Sequence, residues 1–275
     1  MKDLRIAAVC MQSRPGDIDG NLEKTEAFVR EASNRGADIV CFPELSLSGY
    51  GIGKAEMLCP PSRGEEIIRR VNEIAQSYRT VLLVGMIEWA KEERPYISQV
   101  VAGPKGLMAI YRKTHLSPPE RECYQPGQVI DVVSADDFLF GIQLCYEAHF
   151  PEISTIMALK GAEAVFIPHA SPRGEPEEKR NSWFRHLQAR AYDNAMFVVA
   201  CNQVGRTEGG YEFPGVAVIM SPAGRVMAEY TGTEERVLIA DLKGGEIEDI
   251  KKHRMRYFLP QRRPELYVAL CAGKC

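Results

Sequence analysis

The chain has 275 residues, 45% of them hydrophobic and 26% charged, with a formal net charge of -3; that is enough for a sizeable core of ordinary soluble composition. No basic face is evident, so the charge gives no support to a nucleic-acid or polybasic membrane partner, and a small or neutral ligand is the default. The eight cysteines contain no C-x-x-C pair and no regular framework, as expected of reduced thiols in a cytoplasmic enzyme.

From the N-terminus, the apolar run in MKDLRIAAVCMQSRPGD is too short for a signal h-region, and no stretch of about 18 apolar residues occurs elsewhere. LRIAAVC (4–10) reads as a strand, followed by an amphipathic helix near 20–34 closed by Gly36, a strand ADIVCFP (37–43), a helix near 64–79 and a strand VLLVGMIE (81–88). SQVVAG and LMAIYRK, joined by a PKG turn, predict a hairpin, and a proline-rich loop follows. The second half has a similar element order. A strand ends at Cys145, a helix lies near 151–160, and AEAVFIP (162–168) is a strand. The charged run GEPEEKRN (174–181) reads as a solvated loop before a helix near 181–195. MFVVACNQV (196–204), VAVIMSP, RVMAEY and RVLIADL (236–242) complete the strands. Apolar runs of this kind suit two sheets packed face to face with helices outside. The terminal CAGKC is a lone C-x-x-x-C; a metal site there needs two further ligands, and a solvated tail is the preferred reading.

Three of these strands end in polar residues with complementary chemistry. Glu44 follows ADIVCF, Lys113 follows LMAIY, and Cys145 follows FLFGIQL. Parallel strands in layered α/β folds place functional groups at their carboxyl ends, so a carboxylate, an ammonium and a thiol are expected to meet there. By residue type alone Cys145 is more commonly a buried structural cysteine. A thiol at a strand-to-helix junction, however, stands where free N–H groups favour negative charge. A buried carboxylate with a raised pKa can take the thiol proton, while a lysine stabilises an oxyanion.

The motifs FPELSLSGY, YRKTHL and CYEAHFPE, in this order, resemble the Glu-Lys-Cys triad of the nitrilase superfamily of carbon-nitrogen hydrolases. PPERECYQPG, ARAYDNAMFVVACNQVG, SPAGRVMAE and RRPELY extend the resemblance from about residue 4 to about residue 267. It implies an α/β fold, a four-layer α-β-β-α sandwich, as one domain over 1–275 with a C-terminal tail from about 244. It further implies a homodimer or higher even-numbered homo-oligomer, with helices near Cys145 and 181–195 at the main interface. Cys145 would be the nucleophile, Glu44 the general base and then acid, and Lys113 an oxyanion donor with the backbone N–H of Tyr146. An additional glutamate is expected after the lysine. Glu120 and Glu122 are both candidates, and Glu120 fits the family spacing better.

The implied reaction is hydrolysis of a small amide through a thioester, with no metal or organic cofactor. An N-carbamoyl hydrolase and a true nitrilase share the triad; acyl transfer and a catalytically silent binding subunit are the more distant alternatives. The expected partners are therefore an amide, carbamoyl or nitrile substrate, with no nucleic acid and no membrane. Tyr50, Tyr146, Phe150, His169 and Trp183 are candidates for the pocket wall and equally for core or interface. His149, four residues after Cys145, raises a Cys-His dyad, but no Asn or Asp partner is apparent; His115 reads as a hydrogen-bonded loop residue. Arg173, in PHASPRGEPEEKR, either binds a substrate carboxylate bidentately or belongs to a solvated loop.

Overall fold

Leu4–Cys10 (β1) is buried on both faces except at Arg5, the pattern of a strand covered from both sides. The computed structural model describes residues 2–90 and 94–268, so Cys271 and Cys275 of the terminal C-x-x-x-C lie outside the described residues. Ile18–Asn34 (α1) follows, its first turn capped by Asp17, which accepts the Gly20 N–H. Next come Ile39–Cys41 (β2), the short Ala55–Leu58 (α2), Gly64–Tyr78 (α3) and Val81–Glu88 (β3). Tyr96–Gly103 (β4) and Gly106–Arg112 (β5) form the hairpin.

The second half comprises Val132–Ala135 (β6), Phe138–Ile142 (β7), Pro151–Leu159 (α4), Ala164–His169 (β8), Pro176–Asn194 (α5) and Phe197–Asn202 (β9). A two-strand flap of Gly205–Arg206 (β10) and Glu212–Phe213 (β11) precedes Gly215–Met220 (β12), Val226–Gly232 (β13), Arg236–Leu242 (β14) and Gly244–Lys252 (α6). One six-stranded sheet runs β14-β1-β2-β3-β4-β5 and the other β13-β12-β9-β8-β7-β6. Each has a parallel centre, β1-β2-β3 and β7-β8-β9, with antiparallel strands outside it.

The sheets meet face to face through β1 against β9 and β12, and Cys201 Sγ lies 4.0 Å from Cys41 Sγ across the seam. Helices α1 and α3 cover the first sheet, and α4 and α5 the second, which makes four layers, α-β-β-α. Beyond the end of β1, Met11 bridges in parallel to Gln203, just past β9. The carboxyl ends of the two parallel centres therefore lie on the same side of the sandwich.

Two sequence expectations need correction. The run 174–181 is mostly helix, because α5 begins at Pro176. Glu175 caps it in a reciprocal box with Glu178, proline occupies the first turn, and Glu177 and Glu178 complement the positive end of the helix. These are helix-start signals that a dense charge run disguises as loop. Lys113, in addition, does not leave a parallel strand: β5 is the antiparallel edge of its sheet.

Candidate active site

Glu44 lies in the loop that leaves β2 and doubles back over β3. Phe42 N–H donates to Leu83 O at 2.9 Å, Leu47 N–H to Gly85 O at 2.8 Å, and Gly85 N–H to Ser46 Oγ at 3.0 Å. The approach is so close that a Cβ on Gly85 would lie 2.2 Å from Leu45 N, so only glycine admits the loop there. Leu45 takes a left-handed backbone (φ 55°), which costs about 1–2 kcal/mol for a residue with a Cβ and turns the chain directly after the glutamate. Gln203, from the opposite sheet, donates Nε2–H to Glu44 O at 2.8 Å.

Lys113 extends the hairpin by one residue, its N–H bonding to Ile97 O at 2.9 Å and its carbonyl accepting from Gly127 N–H at 2.8 Å. Its side chain is fully buried. Nζ donates to Glu44 Oε1 at 2.8 Å and to Glu120 Oε1 at 2.9 Å. The other oxygens are held as well: Glu44 Oε2 accepts from Ala170 N–H at 3.1 Å, and Glu120 Oε2 from Ser117 N–H at 2.7 Å. Of the two loop glutamates, Glu120 is buried in this cluster and Glu122 is exposed. Burial opposes the Lys113 charge, but Glu44, Glu120 and Cys145 outweigh it and hold the ammonium well above the ordinary lysine value. Burial pushes the Glu44 carboxyl up to about 7 against the pull of Lys113.

Cys145 opens the 3-10 turn Cys145–His149 directly after the β7 ladder, where Gln143 N–H still bonds to Phe166 O at 2.9 Å. Its backbone is left-handed (φ 47°), a second strained residue at the same place. The Ala170 amide, which donates to Glu44 Oε2, also favours the charged form of the thiol. Burial and the Glu44 charge push the thiol above its ordinary range, with Lys113 pulling the other way. In the resting molecule the thiol thus keeps its proton beside a carboxylate poised near neutrality. Two of the three Lys113 N–H groups are taken by carboxylates among the described residues, which leaves one for a substrate oxygen.

Around this cluster, Tyr50 packs edge-on against Tyr211 at 5.1 Å and Phe213 at 6.0 Å. Burial, with the carboxylates of Glu120 and Glu44, raises its hydroxyl pKa, so its ring stands beside the cluster. His169 is buried and stacked on Trp183 at 3.9 Å, with Nδ1–H donating to Ile167 O at 2.7 Å. Burial pushes it well below the ordinary histidine value and keeps it neutral. Tyr146 and Phe150 are half-buried and pack on each other at 5.5 Å. His149 is exposed, its ring against Tyr146 and His186, while His115 packs on Phe150 and shares a hydrogen bond with Thr114. Arg173 is exposed and left-handed (φ 72°), its amide donating to Glu212 O at 2.8 Å.

Two residues near the cluster carry little signal in the sequence. Lys179, in the first turn of α5, turns back onto the loop after Ala170 and donates to Ser171 Oγ at 2.8 Å. Glu147, fully buried, accepts from Tyr111 Oη–H at 2.8 Å, Thr114 N–H at 2.7 Å, His115 N–H at 3.3 Å and Leu144 N–H at 2.6 Å, as well as from the Thr114 hydroxyl. It ties the segment after Lys113 to the turn that carries Cys145. Its position two residues after the cysteine was the only signal. Glu147→Gln would set an amide donor against several donors, so we expect a stability loss of about 1–3 kcal/mol and a lower kcat. An unchanged unfolding midpoint with unchanged kcat would remove this positioning role.

The chain belongs to the carbon-nitrogen hydrolase family, whose profile matches residues 5–252. It is a hydrolase of carbon-nitrogen bonds other than peptide bonds. Among its relatives, a probable nitrilase of Schizosaccharomyces pombe is 30% identical over 275 residues, covering 96% of this chain and 97% of that one. N-carbamoylputrescine amidase of Arabidopsis thaliana is 30% identical over 276 residues, covering 92% and 91%. Among solved structures, an amidase from a Nesterenkonia species superposes with a TM-score of 0.84 at 27% identity, covering 97% of this chain and 96% of that one. A variant of the amidase from Nesterenkonia sp. AN1, 26% identical with a TM-score of 0.84, shows the acetamide moiety of fluoroacetamide covalently added at the active site cysteine.

Proposed function

We propose that the protein hydrolyses a small amide with Cys145 as nucleophile, Glu44 as proton carrier and Lys113 as oxyanion donor. The observation that carries this reading is the buried Glu44-Lys113-Glu120 cluster, whose charges act on the Cys145 thiol and whose Glu44 is held by the Ala170 amide. Glu44 takes the thiol proton as sulfur attacks the carbonyl carbon. The oxyanion forms against the free Lys113 N–H and the Tyr146 amide, at the open start of the 3-10 turn. Collapse breaks the carbon-nitrogen bond while Glu44 returns the proton to the leaving nitrogen, so ammonia or an amine departs and a thioester remains. Water, deprotonated by Glu44, then attacks the thioester, giving a carboxylic acid and the restored thiol. Glu120 keeps Lys113 aimed. Tyr50, Tyr146, Phe150 and His169 line the substrate space, and Arg173 stands at its outer loop.

The test is ammonia release across short amides, N-carbamoyl amino acids and nitriles, with the mass of any adduct formed by fluoroacetamide mapped to its residue. Turnover of amides with an adduct on Cys145 is expected; an adduct elsewhere or none, with no amide turnover, overturns the reading. The Glu44 value carries a pH prediction. The base must be ionised to take the thiol proton, so kcat/KM is expected to fall about tenfold per pH unit below about 7. A limb near the ordinary carboxylate value of 4.5 would show that burial does not raise the Glu44 carboxyl in the working enzyme.

We read the chain as one catalytic domain with its tail from about residue 244, acting as an even-numbered homo-oligomer in the cytoplasm. Ile156 and Leu159 on α4 and Tyr192 on α5, all exposed, support association through these helices. The six described cysteines are unbridged, which supports a reducing compartment. Among the described residues no helix is long and apolar enough to cross a membrane.

A further inference from the structure

Lys179 is a cation for which helix stability gives no reason. It sits in the first turn of α5 beside Glu177 and Glu178, where the helix end is already positive and a second positive charge is unfavourable. Solvent is close by, yet the side chain is half-buried. Its ammonium donates to Ser171 Oγ at 2.8 Å and Pro172 O at 3.2 Å. Both acceptors are neutral, and no carboxylate pairs with Lys179 among the described residues.

The place of those acceptors matters. Ser171 directly follows Ala170, whose amide donates to Glu44 Oε2 at 3.1 Å. Asn202 clamps Ser171 from β9, accepting its N–H at 2.9 Å and donating to its carbonyl at 3.0 Å, and also donates to Pro214 O at 2.8 Å. The loop that accepts from the Lys179 ammonium is therefore anchored to β9 through Asn202. Burial lowers the lysine pKa, and a thiolate at Cys145 would raise it, so the two groups are within electrostatic reach. Arg173, in the same loop, is exposed and is bonded through its backbone to β11.

We propose that Lys179 is a specificity residue that binds a carboxylate on the far end of the substrate, so that the preferred substrates are monoamides of short dicarboxylic acids. This rests on the amidase reading above. A desolvated ammonium with only neutral partners gains most from an incoming anion, which would pair with its remaining N–H. The carboxylate of such a substrate and the amide carbonyl would then be held from opposite ends, by Lys179 and by Lys113.

The experiment measures kcat/KM for malonamate, succinamate and glutaramate, and for the neutral amides of the same chain lengths, in the wild type, Lys179→Met and Lys179→Arg. Wild type is expected to prefer at least one carboxylated amide over its neutral counterpart. Lys179→Met should lower kcat/KM for that substrate by about 30-fold or more, with the neutral amides changed less than about threefold. Lys179→Arg, which keeps the charge, should recover part of the loss. Equal losses for charged and neutral amides would mean that Lys179 only staples the 170–175 loop, and would overturn the proposal. Wild-type turnover of neutral amides with no preference for the carboxylated ones would overturn it too, while leaving the amidase reading intact. Absence of turnover on every amide would bring down both.

Discussion

Cys145→Ala is expected to reduce amide turnover by about 10⁴-fold or more and to abolish the covalent adduct with fluoroacetamide, with the unfolding midpoint unchanged. Stability should be spared because the left-handed backbone at this position costs any residue with a Cβ about the same, so alanine inherits the strain without adding to it. Activity should not be spared, since no other sulfur stands beside Glu44 and Lys113 among the described residues. Cys145→Ser is expected to be nearly as inactive. The site already raises the pKa of a thiol, and a hydroxyl starts far higher, so a carboxyl with a pKa of about 7 cannot deprotonate it at a useful rate. Substantial turnover by the alanine variant would sink the mechanism.

Lys113→Ala is the second large effect, and it has two parts. Loss of one oxyanion donor should lower kcat by about 10²–10³-fold. Loss of the ammonium also leaves Glu44 and Glu120 buried without their counter-charge, and breaking such a pair costs about 3–5 kcal/mol of stability. The pH dependence separates this from a packing defect. Lys113 now holds the Glu44 pKa down against burial, so its removal raises that carboxyl further. A carboxyl whose folded value exceeds its unfolded one favours folding at low pH and loses that contribution as pH rises through the folded value. The deficit of Lys113→Ala relative to wild type should therefore be small near pH 4.5 and grow through pH 7 and above, as read by denaturant unfolding at several pH values. A deficit independent of pH would point to lost packing. An effect on KM alone would show that Lys113 binds substrate equally in ground and transition states.

How much of this could be read in the chain varies residue by residue. The apolar runs of β1, β2, β3, β7, β8 and β9 announce doubly covered strands, because burial on both faces is a local demand on composition. The polar breaks at Glu44, Lys113 and Cys145 stand out against those runs for the same reason. The start of α5 was also encoded, in Glu175, Pro176 and Glu178, but the charge density there imitates a loop. Other features have no local signature. Glu120 and Glu122 lie two residues apart in one 3-10 turn, and which of them reaches Lys113 depends on how that turn docks. Glu147 resembles any carboxylate until Tyr111, Thr114, His115 and Leu144 converge on it.

Lys179 resembles any solvated lysine until the loop anchored by Asn202 brings Ser171 beneath it. Residue types and their breaks in hydrophobic pattern are thus properties of short segments, and they identify the chemistry this chain carries. The meeting of Glu44 with Lys113 across 69 positions, and with Ala170 across 126, follows from two sheets sealed face to face. Burial in that seam lifts the Glu44 carboxyl to about 7, a value that no stretch of residues has on its own.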